Sequence, residues 1–257
     1  MVRLGAMWKR KILLILMAYA SSAIPSLAGS GKPIWAKAAT DLHPGCDRVP
    51  PTPQLISSPD GRVRVEVLCR AHGRDEDPSL YLRITLPGGM SHEIGLDKGS
   101  DELLWAPDSK AFFVDGGETA ISGFFVSVYR IENDGVTKLD VTGAAQRDMV
   151  RSFPPCNAYN RDGTTLCKTI EDNPEYNMSG ISWVNDSSAL VVMAEVPCSG
   201  EYGGIMCQVL GYKLDAETGS ILQRMTAREL KKRWQREMAW QLRIPDPPRY
   251  GAPYRQP

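Results

Sequence analysis

Leu104-Trp105-Ala106-Pro107-Asp108-Ser109-Lys110-Ala111-Phe112-Phe113-Val114 is the stretch that decides the fold class of this 257-residue chain. It reads as a strand, a tight turn and a returning strand. Proline presets φ, the aspartate bonds back to the turn's own amides, and a small residue finishes the reversal. The tryptophan just ahead of the turn is placed to pack on a neighbouring sheet. The pattern occurs twice more. Ser58-Pro59-Asp60-Gly61 precedes the strand at Val63, and Ser182-Trp183-Val184-Asn185-Asp186-Ser187-Ser188 precedes Ala189-Leu190-Val191-Val192.

Outward from these turns, the region 55–224 reads as short strands. Val63-Arg64-Val65-Glu66-Val67 and Leu80-Tyr81-Leu82-Arg83-Ile84-Thr85-Leu86 alternate apolar with polar residues, the signature of half-buried strands. Ala111-Phe112-Phe113-Val114, the run from Phe124 to Tyr129 and the run from Ala189 to Met193 are continuously apolar, as strands covered on both faces are. Pro87-Gly88-Gly89, Asp115-Gly116-Gly117, Asn133-Asp134-Gly135 and Asp162-Gly163 punctuate them as turns. From Gly143 to Phe153, Ala144, Ala145, Met149 and Val150 suggest a short helix.

The three turn-and-strand segments resemble the W-S-P-D-G-x-x-[apolar]-x-[apolar] signature of TolB-like, PD40-type β-propeller repeats. The first copy lacks the tryptophan, and the third has Asn185 where the signature has proline. The resemblance implies antiparallel, propeller-like repeats. Asp60, Asp108 and Asp186 are 48 and 78 residues apart, and a blade takes about 40–45 residues, so the longer interval has room for two. The resulting count of about four blades is at the low end for a closed ring. The expected fold is therefore mainly β: a partial or small propeller, with a sandwich of two antiparallel sheets as the alternative.

The flanking segments differ in character. Arg3, Lys9, Arg10 and Lys11, an apolar run from Ile12 to Ile24, and Ser26-Leu27-Ala28 make residues 1–28 an expected signal peptide cleaved near Ala28. Residues 29–54 read as a linker or extended arm. Thr226-Ala227-Arg228-Glu229 fits a capping box. Behind it Leu230, Trp234, Met238 and Leu242 recur every fourth residue, predicting an amphipathic helix over 225–243. That helix would dock on the sheet or contact a membrane surface. Residues 244–257, with five prolines from Pro247 back to Pro245 and on to Pro248, Pro253 and Pro257, make an extended tail.

Six cysteines, Cys46, Cys69, Cys156, Cys167, Cys198 and Cys207, all lie beyond the leader, and an even count in an exported chain favours disulfides. Local pairing would join Cys156 to Cys167 and Cys198 to Cys207, leaving Cys46 for Cys69. No C-x-x-C pair occurs, and His43, His72 and His92 lack ligand spacing, so neither a metal nor a cofactor is expected. Without residues 1–28 the chain holds 26 basic and 30 acidic side chains, a formal charge of −4 that disfavours nucleic acid. No nucleophile elbow, phosphate loop, dinucleotide fingerprint or H-E-x-x-H is present, and no catalytic residue stands out. The expectation is a non-enzymatic binding or scaffold protein of the bacterial periplasm or cell exterior, meeting a protein or glycan through its loops. Its candidate binding loop runs between Cys198 and Cys207, with Glu201, Tyr202 and Met206 as contact residues. The alternatives are an envelope-polymer hydrolase using loop carboxylates and an envelope-associated protein contacting membrane through its terminal helix.

Overall fold

Turn chemistry and period-2 patterning together build a series of antiparallel meanders. The computed structural model describes residues 34–42, 53–70, 79–97, 99–117, 123–153, 176–184 and 186–244. All of them belong to one compact unit, Gly31–Pro257.

The first sheet is formed by β2 (Gln54–Ser57), β3 (Arg64–Arg70), β4 (Ser79–Thr85) and β5 (Ser91–Gly95), in that order. The second contains β6 (Ser100–Trp105), β7 (Ala111–Gly117), β8 (Phe124–Ile131) and β9 (Val136–Leu139), with the two-residue β1 (Thr40–Asp41) added outside β6. α1 (Gly143–Ser152) follows, as the sequence suggests. The third sheet is β10 (Asn177–Val184), β11 (Ala189–Glu195), β12 (Val209–Asp215) and β13 (Ile221–Thr226). It leads directly into the eight-residue α2 (Ala227–Trp234). Every strand pair is antiparallel, and none of the three sheets closes into a barrel.

Period-2 alternation sorts the core into three layers. Phe112 and Val114 of β7 face the first sheet, where Val65, Val67, Leu82 and Ile84 meet them. Phe113, one residue out of phase, faces the third sheet and packs with Leu190, Val192, Tyr212 and, from α1, Ala145 and Met149. Val191 and Met193 of β11 point the other way, into a layer with Met225, Leu230, Met238 and Leu242. The sheets thus stack in series, first on second and second on third, and α2 with its following segment covers the far face of the third. Continuous apolar runs belong to strands covered twice. The alternating strands β3 and β4 belong to the first sheet, whose outer face carries Glu66, Arg83 and Glu93 in one cross-strand row.

The C-terminal stripe calls for a correction to the predicted helix over 225–243. The capping box forms, with Thr226 Oγ1 accepting from Glu229 N at 3.3 Å and Glu229 accepting from Thr226 N at 2.8 Å. The helix nevertheless ends at Trp234. Gln235 caps the departing chain, donating Nε2–H to Trp240 O and accepting from Leu242 N. Met238 then enters a β-bridge with Ala36. Leu230, Met238 and Leu242 are all buried, so the spacing that looked helical marks one docked segment that changes conformation midway.

Residues 34–42 of the expected arm are part of this unit. Thr40 and Asp41 pair with Leu103 and Glu102, and Ala239 N donates to Trp35 O at 2.9 Å. The predicted leader 1–28 lies outside the described residues, as does the predicted tail 244–257 beyond Ile244.

Candidate functional site

The two ends of the sheet stack differ in kind. At one end lie six connections of four to six residues, among them the three aspartate turns. In two of these turns the aspartate accepts from the amide two residues on, Asp60 from Arg62 N and Asp108 from Lys110 N, both at 3.0 Å. The turns are also bound to each other. Ser109 Oγ accepts from Asp60 N at 3.0 Å, and Ser187 Oγ accepts from Asp108 N at 3.1 Å. Trp183 adds an indole N–H to Leu104 O at 3.1 Å. This end is closed by hydrogen bonds from sheet to sheet.

At the opposite end, residues 196–208 connect β11 to β12 and hold the expected binding loop. Cys198 and Cys207 are disulfide-bonded, and Gly200–Ile205 forms a 3-10 helix between them. Ile205 is buried, and Tyr202 packs on the core between the second and third sheets, so its ring anchors the loop to the scaffold. Met206, 46% exposed, is the side chain that the loop presents to solvent. Glu201 lies within the 3-10 helix. Cys69 is also in a disulfide, with a partner outside the described residues, where Cys46, Cys156 and Cys167 lie.

Beneath this end sit three carboxylates that inspection for motifs passes over. Glu102 of β6 and Asp115 of β7 are direct cross-strand partners, and both are buried. Glu102 binds the arm by its main chain, accepting from Ile34 N at 2.6 Å, Trp35 N at 3.3 Å and Ala36 N at 2.8 Å. Burial raises its carboxyl above the ordinary range, and the three amides counter part of that rise. Asp115 has one donor, Gly180 N at 2.8 Å, and its Oδ2 has no hydrogen-bond partner. Complete burial, reinforced by the charges of Glu102 and Asp101, pushes it well up. Glu195, at the end of β11, is raised by burial and opposed by a long hydrogen bond from Asn177 Nδ2 at 3.4 Å. Asp115-Gly116-Gly117, read from the sequence as a turn, instead ends β7, and parity could have found Asp115 there, since it shares a strand face with Phe113 and an acid on a core-facing position is anomalous.

A cleft of about 390 Å³ opens separately between β8 and the β9–α1 connection, lined by Val126, Ser127, Lys138, Leu139 and Thr142. Two of its polar side chains share one partner: Lys138 pairs with Asp97 at 2.7 Å, and Ser127 Oγ donates to the same carboxylate at 3.3 Å. Among the described residues, no grouping of three or more His, Cys, Asp or Glu is arranged to hold a metal ion. No family profile, curated protein or solved structure matches the chain.

Proposed function

We propose that this chain is an exported, non-enzymatic binding or scaffold protein of the bacterial periplasm or cell exterior, and that the loop end of its sheet stack is the binding face for a protein or glycan. One observation carries the reading. The short-turn end is locked from sheet to sheet, while the disulfide-closed loop stands at the other end. Loops on a rigid sheet scaffold are where recognition concentrates, and a loop already ordered by a disulfide and a buried anchor loses little entropy on binding. Disulfides at Cys69 and at Cys198–Cys207 are compatible with an oxidising compartment, which supports export by residues 1–28.

The sheets themselves are proposed to be three TolB-like repeats in an open row. Each aspartate turn joins the first and second strands of its own four-stranded meander, and hydrogen bonds connect successive turns. The polar outer face of the first sheet and the segment covering the third favour an open row over a ring.

Among the alternatives, the hydrolase gains a carboxylate pair. However, Asp115 is sealed from solvent and Glu102 is occupied by the arm, so the pair supports the binding reading better. The membrane reading requires a free apolar stripe, whereas Leu230, Met238 and Leu242 are spent on the third sheet.

The test is site-specific photocrosslinking in the exporting cell, with the probe at Met206 on one end or at Glu217 on the other. A discrete adduct from position 206 and none from 217 is the expected result. Equal or absent adducts from both, or release of fragments from purified cell-envelope polymer by the protein, would overturn it.

A further inference from the structure

We propose that Glu102 and Asp115 form a latch that holds residues 34–36 against the second sheet while the pair shares one proton and releases them as pH rises and that proton leaves. The two adjacent acids are unequally solvated. Glu102 receives three main-chain amides from three consecutive residues, an arrangement that stabilises an anion. Asp115 receives one amide, and its second oxygen meets no donor inside a fully buried site. Two such carboxylates side by side do not both ionise, and the proton resides on the less solvated one. Above the raised value of Glu102 and below the higher one of Asp115, the pair therefore carries one charge, on Glu102, where the arm's amides meet it.

Among the described residues, the charges around the pair are mostly acidic. β6 contributes Asp101, whose charge acts on both acids. The arm contributes Asp41, opposite Glu102 in the ladder, and the exposed Lys37. β8 places the apolar Val126 opposite Asp115, and β10 offers the amide of Gly180. The C-terminal segment brings Glu237, whose main-chain carbonyl accepts from Lys37 N at 2.7 Å. When Asp115 loses its proton, its charge joins that of Glu102 in this acidic setting. Of the pieces enclosing the pair, the arm has the shortest pairing with the second sheet, the two-residue β1, and its main chain also bonds to residues 237–239. Its departure lets water reach both carboxylates.

Between the raised value of Glu102 and the higher one of Asp115, the closed state binds one more proton than the open state. The opening constant then increases about tenfold per pH unit across that window, so closure is held at its acid side and lost above it.

Hydrogen exchange of the amides of residues 34–37, corrected for intrinsic rate and followed from pH 5 to 9, reads the latch directly. The β11 and β12 ladder amides serve as the reference for global stability. The wild-type arm should lose protection with that slope while the ladder keeps its own. Asp115→Asn should stay closed and flat across the range, and Glu102→Gln should exchange faster at every pH. A wild-type arm whose protection is independent of pH would overturn the proposal without any variant. So would a pH dependence that persists in Asp115→Asn with the ladder intact.

Discussion

Asp148 shows how one side chain can join two elements. It lies on α1, accepts the Tyr212 hydroxyl at 2.8 Å and pairs with Arg224 Nε at 2.8 Å, fastening the helix to β12 and β13. Burial works to raise its carboxyl, but Tyr212 and Arg224 prevail and hold it below the usual range. Its contribution is therefore present above the unfolded aspartate value and lost as pH falls through the folded one. Arg224 is half exposed and adds little through solvent. Most of the effect rests on the buried hydroxyl, and Asp148→Ala should lower unfolding free energy in urea by about 2 kcal/mol at pH 7. The gap from wild type should shrink in acid. Gly180 tests packing in the same way. A Cβ there would stand 2.8 Å from the Phe113 ring, which is buried between two sheets and has nowhere to go. Gly180→Ala should cost about 1–3 kcal/mol by the same assay.

At the scale of elements, the aspartate turns combine a legible part with a hidden one. The turns, their returning strands, the short helix at Gly143 and the closure of Cys198 on Cys207 could be read from local chemistry, because each depends on neighbours a few residues away. The serine that joins one turn to the next could not. Its partner lies 49 residues away for Ser109 and 79 for Ser187. Both serines hold a positive φ, 64° and 75°, a conformation that suits glycine. Ser109→Ala and Ser187→Ala should each cost about 1 kcal/mol in thermal or urea melts, from loss of the hydroxyl bond. Glycine at either site should cost less than alanine, since it relieves the backbone while losing the same bond. The end of α2 was hidden for a related reason. Burial of Met238 and Leu242 gives a period of four whether or not the backbone stays helical. Anomalous parity flags Asp115, but nothing local announces that Glu102 receives an arm 66 residues earlier in the chain.

At the scale of the molecule, the row of sheets is finished differently at its two ends. Gly61 occupies the place that Ser109 and Ser187 hold in the later turns, so the first turn has no hydroxyl to offer a further neighbour. The outer face of the first sheet carries Arg83 between Glu66 at 2.9 Å and Glu93 at 2.8 Å. Such exposed pairs contribute little stability, but they keep a flat sheet face from recruiting another. Replacing Glu66, Arg83 and Glu93 together by leucine should leave the monomer's melting nearly unchanged and drive self-association, visible by sedimentation velocity. A triple variant that stays monomeric at high concentration would show that the ion row has no such role. The contact between Ala36 and Met238 has a consequence in time. The arm meets Glu102 once some 70 further residues have been made, but it waits for about 200 before Met238 and Ala239 arrive. A chain emerging from the ribosome or threading a translocon thus completes its last clasp only after nearly all of it has come through, and until then the first segment of the domain to appear is its least secured.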